Sequence, residues 1–203
     1  MPLQIRLETP NDYIEIEHIT REAFWDLYKP WCDEHLVLNK LRNTTAFVPE
    51  LDFVANIDDK LVGNIVYSKA KVINHYGIEN EVLCMWPLSV LPFYQKQWIG
   101  SELIKISTQK AKELWYKGVI IFGNPDYYHR FWYQNAANYN ITTPDWHNFD
   151  AFMALELYNN SLKDIHWKFY ADPVFETDKG ELEEFEKWFP YREKHITDTQ
   201  LKI

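Results

Sequence analysis

The chain has 203 residues, 46% hydrophobic and 25% charged, a balance that suits one compact soluble domain and excludes a disordered tail. Acidic residues outnumber basic ones 30 to 21, and the net charge of −9 disfavours nucleic acid and anionic membrane as partners while mildly favouring a cationic one such as an amine. No apolar run approaches the roughly 18 residues of a membrane helix, and the N-terminus MPLQIRLETPND lacks the apolar segment of a signal peptide.

Ile5 to Glu8 read as a short strand closed by Thr9-Pro10. Asp12 is placed to cap a helix whose Ile16, Ile19, Ala23 and Phe24 recur at helical spacing, and Pro30 is expected to stop it. Asp33 begins a second helix, with Leu36, Leu38 and Leu41 as its apolar positions. From Leu51 the period changes. Leu51, Phe53, Ala55 and Ile57 alternate, Asp58-Asp59-Lys60 turns the chain, and Leu61 to Val72 returns as the second arm of a hairpin.

Glu81 to Val90 (EVLCMWPLSV) is apolar nearly throughout and reads as a central strand. Pro87 within it cannot donate to a ladder, so a bulge or a splayed edge is expected. The next stretch, residues 95–118, is amphipathic, with Gly100, Leu103, Ile104, Ser107, Ala111, Leu114 and Trp115 on one stripe and Gly118 as the expected C-terminal cap. Val119 to Phe122 is a short buried strand, Asp126 to Phe131 a short helix, and Asp150 to Leu157 another strand. Beyond Tyr158 the composition shifts, with a short amphipathic helix around Leu182, Phe185 and Trp188 before Pro190. Without repeats or linkers, the chain divides into a domain of residues 1–157 and a C-terminal extension of residues 158–203 packed on or beside it. Exposed aromatics in that tail are compatible with a homodimer.

A strand followed by a loop and a long helix presents unpaired amides and the positive end of a helix dipole, a seat for a diphosphate. Ordinary α/β packing has the same pattern. The specific signal is Leu88-Ser89-Val90-Leu91-Pro92-Phe93-Tyr94-Gln95 followed by Ile99-Gly100-Ser101, which resembles the acetyl-CoA-binding motif of the GNAT superfamily of N-acetyltransferases. Downstream, Gly123-Asn124-Pro125-Asp126-Tyr127-Tyr128-His129-Arg130-Phe131 resembles a later segment of bacterial members, and the order of elements over about residues 3–157 agrees. The resemblance implies a mixed α/β (α+β) fold with flanking helices and a central, mostly antiparallel sheet containing a splayed strand. It implies an enzyme that transfers acetyl from acetyl-CoA, as co-substrate, to a primary amine of a small molecule or peptide by direct attack.

By the same resemblance, Leu88, Ser89 and Val90 line the pantetheine, Gln95, Lys96, Gln97, Trp98, Ile99, Gly100 and Ser101 surround the pyrophosphate, and Asn124 reaches the pantetheine arm. A backbone amide near Val90 would polarise the thioester carbonyl. Tyr128 matches the general acid that protonates the leaving thiolate, and a phenol of pKa about 10 is protonated for that task at neutral pH. The alternative for Tyr128 is packing beside Tyr127 and Phe131. Glu81 is the carboxylate best placed by sequence to assist deprotonation of the amine, and a solvent-facing strand end is its other reading.

Three tryptophans depart from the motif: Trp98 replaces its middle glycine, Trp132 a later one, and Trp86 a glycine common in the subgroup. With ordinary helical backbone at Trp98, the indole is expected to turn away from the diphosphate. These replacements motivate a second reading, a GNAT fold that binds a ligand or partner without catalysis. Cys84 reads as a small buried hydrophobe, and the two distant cysteines, Cys32 and Cys84, suit a reduced cytoplasmic setting. The seven histidines lack ligand spacing, so no metal is expected.

Overall fold

The hairpin forms as its pattern predicts, and the rest of the sheet grows from it. In the computed structural model, which describes residues 2–198 and Gln200, β1 (Gln4–Leu7) precedes α1 (Tyr13–Phe24) and α2 (Glu34–Leu41). Then β2 (Phe53–Ile57) and β3 (Lys60–Ile73) pair antiparallel through Asp58-Asp59. Both aspartates have positive φ, 54° and 61°, the two-residue turn whose twist matches that of the flanking strands. β4 (Glu79–Val90), α3 (Ile99–Glu113), β5 (Gly118–Phe122), α4 (Pro125–Tyr128), β6 (Gln134–Asn135), β7 (Ile141–Thr142) and β8 (Phe152–Glu156) follow, with β9 (Trp167–Tyr170) and α5 (Lys179–Glu186) last.

The strand order is β1-β2-β3-β4-β5-β8-β6, with β9 joined to both β3 and β7. The pairs are antiparallel except β4 with β5 and β7 with β9. This is the mixed, mostly antiparallel sheet expected. Its two faces are covered separately. Leu103 and Ile104 of α3 pack over Ile65, Tyr67, Met85 and Val119, whereas Ile16 and Ile19 of α1 and Leu38 and Leu41 of α2 cover Val54 and Val66. Along β4 from Val82 to Met85 the residues alternate, Leu83 and Met85 facing α3 and Val82 and Cys84 the opposite cluster with Ile120 and Phe169. Among the described residues no helix is long and apolar enough to cross a membrane.

Several boundaries differ from the sequence expectation. The first helix ends at Phe24, well before Pro30, because Asp26 adopts φ 58°. Asp12 occupies the cap position, but its carboxylate accepts from Arg6 (2.7 and 2.8 Å) and Thr9 instead of the helix amides. Helix α3 starts only at Ile99, since Lys96 and Trp98 both have positive φ. Its C-terminal turn is made by Trp115 (φ 63°), not Gly118, which instead opens β5 where an added Cβ would stand 2.6 Å from Leu162.

The segment beyond residue 158 returns into the sheet. β9 pairs Lys71 with Tyr170 and Val72 with Phe169. Glu186 on α5 accepts from Arg21 Nε (3.0 Å) and Nη2 (2.8 Å) and lies 2.8 Å from Nε2 of the buried His35, an electrostatic contact more than an aligned hydrogen bond. Burial pushes the Glu186 carboxyl up, but His35 and Arg21 outweigh it and hold it at about 2. The expected extension reached residue 203; residues 199 and 201–203 lie outside the described residues.

Candidate active site

β4 leaves its neighbour halfway along. It pairs with β5 only at Leu83–Val119 and Cys84–Ile120, so from Met85 to Val90 that edge has no strand partner among the described residues. On the other side, Tyr67 pairs with Met85 and Ile65 with Leu88, which sets Trp86 and Pro87 together opposite Val66. Two residues facing one is a β-bulge, the outcome that a proline without a donor predicts. The Trp86–Pro87 peptide is cis.

A cleft of about 620 Å³ opens beside this free edge. Leu88 and Val90 line it, as do Gln95, Lys96, Trp98, Ile99, Gly100, Ser101, Asn124 and Tyr128. Three predicted residues lie differently. Ser89 is buried and donates to Thr20 Oγ1 (3.1 Å) on α1, because alternate residues of a strand face opposite sides. Gln97 is exposed and donates to the Phe93 carbonyl (3.0 Å), outside the cleft lining. Glu81 is exposed opposite Lys71, on the far side of the β4–β5 pairing from the cleft. Seven residues of extended strand, about 23 Å, separate it from Leu88. A carboxylate there does not reach the cleft.

The loop entering α3 sets the polar character of the cleft. The backbone amides of residues 96–101 find no acceptor among the described residues, the situation of a helix N-terminus without a capping side chain. Lys96 and Arg130 line the same cleft, and no carboxylate does, although the chain as a whole carries −9. The field in the cleft is therefore locally positive. Gln95 donates to the Val90 carbonyl (3.1 Å), and Asn124 accepts from the Asp126 amide (3.0 Å) through its side-chain oxygen, with no partner for its side-chain NH2 among the described residues.

Trp98 does not have the helical backbone expected of it. Its φ is 66° and ψ 0°, and the residue, 71% exposed, lines the cleft. The left-handed turn, forced by the approach to α3, is what a motif glycine would supply without a side chain.

Tyr128 is nearly buried, in edge-to-face contact with Tyr127 (5.0 Å between centroids) and Tyr133 (5.6 Å). Its hydroxyl has no hydrogen-bond partner among the described residues. Burial, followed by the neighbouring phenols, pushes its pKa well up, so the proton is held firmly at neutral pH. Gly123 makes room for this ring, since a Cβ there would overlap the Tyr128 ring carbons. Cys84 is buried and its thiol is pushed up to about 12, an inert packing residue.

Sequence reasoning missed Leu27 and Tyr28, which reach the cleft from the segment between α1 and α2, and gave no role to Tyr94, Tyr127 or Arg130. Tyr28 stands within ring contact of Trp86 (6.4 Å) and Phe24 (6.3 Å). It lies in no periodic element, so only its tertiary position marks it. Arg130 would have been found by asking which cations flank the later motif; it sits 4.9 Å from the Tyr127 ring centroid.

Comparison with known proteins accords with this geometry. The sequence model of the acetyltransferase (GNAT) family matches residues 16–130. No curated protein matches the chain by sequence. Among solved structures, a GNAT family N-acetyltransferase from Escherichia coli in complex with CoA is similar with a TM-score of 0.74 at 22% identity, covering 85% of this chain and 91% of that one. A GNAT family acetyltransferase from Brucella melitensis in complex with acetyl-CoA gives 0.69 at 23% identity, covering 86% and 99%. The family match spans more than half the chain and contains the splayed strand, the amide-rich loop and Tyr128, so the chain belongs to the GNAT family of acetyltransferases.

Proposed function

We propose that the protein transfers an acetyl group from acetyl-CoA to a primary amine by direct attack in the cleft beside β4. One observation carries this reading: the unpaired strand edge at Leu88 and Val90 and the loop of free amides at residues 96–101 line one cleft together with Lys96 and Arg130, with no acid in the lining. Amides at a helix N-terminus and two cations suit a diphosphate. The free strand edge beside Leu88 and Val90 suits an amide-bearing arm that pairs as a short strand would. Acetyl-CoA supplies the activated thioester. Asn124 would orient the arm through its side-chain amide, and Tyr128 would deliver its phenolic proton to the departing sulfur. The acceptor amine would enter past Tyr28 and Trp86, whose rings form an aromatic wall at the α1–α2 side. Glu81 has no part in this reading, so the amine is deprotonated by solvent or by its own equilibrium. The free, buried cysteines support a cytoplasmic setting.

Titration calorimetry with acetyl-CoA and CoA, followed by thiol release in the presence of a panel of small amines and amine-bearing peptides, tests the proposal. Absence of binding at millimolar ligand by a folded protein overturns it. The second reading, a binding module without turnover, is favoured by a tryptophan, Trp98, in the cleft lining where the motif has glycine. Acetyl-CoA binding without thiol release for any amine selects it.

A further inference from the structure

Five of the nine tryptophans sit in left-handed backbone: Trp98 (φ 66°), Trp115 (63°), Trp132 (70°), Trp146 (68°) and Trp167 (108°). The other non-glycine residues with positive φ are Asp26, Asp58, Asp59, Asn140, Asn160 and Lys96. Aspartate and asparagine tolerate this region through short polar side chains. An indole has no such compensation, and for a bulky residue the conformation is an outlier. The chain meanwhile has six glycines, of which only Gly77 takes positive φ among the described residues. The usual assignment of glycine to such positions is inverted.

Each position has the local geometry of a glycine site. Trp115 follows the C-cap Leu114, its amide bonded to Lys112 O (2.8 Å) and that of Tyr116 to Ala111 O (3.2 Å). That bond pair is a Schellman motif, whose left-handed residue is usually glycine. Trp132 ends the 3-10 turn His129–Phe131, and Trp146 closes a turn on Thr143 O (3.0 Å). Trp167 opens β9 at a φ that is essentially restricted to glycine. Little is gained from the side chains in return. Trp98, Trp115 and Trp132 are 71%, 80% and 81% exposed, Trp115 stacking only on Tyr158, and Trp146 and Trp167 meet each other at the surface beside Lys168 and His75. Trp25 shows the contrast: φ −58°, buried, its indole donating to Glu193 O (3.0 Å) beneath Arg21.

We infer that positions 98, 115, 132, 146 and 167 are glycine in the protein as its own cell makes it. The codon UGA is read as tryptophan in some genetic codes and as glycine in others, so decoding one gene by the wrong code would put tryptophan at all five. The loop into α3 would then run Lys96-Gln97-Gly-Ile99-Gly100, with no indole in the cleft lining. The inference rests on backbone geometry alone and holds whether or not the cleft transfers acetyl groups.

The test is peptide mass mapping of the protein isolated from the cells that make it, over the segments that span the five positions, beside the codons of its gene. Glycine at all five, each encoded by UGA, is the expected result. Tryptophan in any of these peptides, or UGG at any of these codons, overturns the inference. A second measurement tests the backbone premise on recombinant protein. The variant carrying Trp98→Gly, Trp115→Gly, Trp132→Gly, Trp146→Gly and Trp167→Gly together should melt higher than the tryptophan chain, whereas Trp25→Gly should melt lower. A five-fold variant that melts lower than the tryptophan chain overturns the premise.

Discussion

A Cβ added to Gly100 would stand 2.8 Å from the hydroxyl of Tyr127, so the first turn of α3 and the phenol of α4 close on each other across the cleft with no room for a methyl group. The Tyr127 hydroxyl also reaches Ser101, and burial raises its pKa against the pull of that contact and of Arg130. In Gly100→Ala the ring must tilt into the cleft or the helix must withdraw. Overpacking of this kind costs about 1–3 kcal/mol, and acetyl-CoA affinity should fall about tenfold or more. The double variant Gly100→Ala with Tyr127→Phe removes the clashing oxygen and should recover most of that loss. Calorimetry on the two single variants and the double one closes the cycle; additive losses would show that the two residues are not coupled.

Tyr128→Phe should leave acetyl-CoA affinity near that of the parent chain and lower kcat by about 10²–10⁴-fold, the usual contribution of a general acid. The phenol is held protonated by burial, so the parent rate should not fall on the alkaline side before the enzyme itself unfolds. Equal rates for the two proteins across pH would assign Tyr128 to packing against Tyr127 and Tyr133.

Arg130→Ala and Lys96→Ala each remove one of the two cations that line the cleft. A charge-assisted contact to an anion is worth about 1.5–3 kcal/mol, so each should weaken CoA binding by about 10-fold or more and flatten its dependence on salt. Glu81→Gln, about 23 Å along β4 from Leu88, should change neither affinity nor rate. Binding curves at two ionic strengths check all three variants together.

Glu186 makes a pH prediction about stability. Its folded-state value of about 2 lies below the ordinary 4.5, so its contribution is complete above 4.5 and is lost as pH falls from there toward 2. Glu186→Gln should therefore melt lower than the parent chain at neutral pH. The gap should narrow steadily in acid, since below both values the parent carboxyl is protonated too. Thermal melts of both proteins from pH 7 to pH 2 measure this; a constant gap would show that Arg21 and His35 do not hold Glu186 as a carboxylate.

Local chemistry made much of this protein legible in its sequence. The hairpin turn at Asp58-Asp59, the apolar stripe of α3 and the interrupted strand at Pro87 each follow from a side chain acting on its own backbone or on residues three or four positions away. The cofactor loop was recognisable for the same reason, since its elements are contiguous from Leu88 to Ser101. Even Ser89 could have been excluded from the cleft, because Leu88 and Val90 flank it at a period of two. The tertiary structure alone decided the remainder. Glu81 and Leu88 share a strand, but only the short pairing of β4 with β5 fixes which end opens. Tyr28 reaches the cleft because α1 lies across β4, and Glu186 meets Arg21 and His35 across more than a hundred residues of chain. The left-handed turns at Lys96 and Trp98 are set by how the loop must approach α3, against the amphipathic pattern that reads as helix from Gln95. Contacts between residues distant in sequence depend on sheet register and helix placement, which are properties of the whole packing and leave no period in the chain.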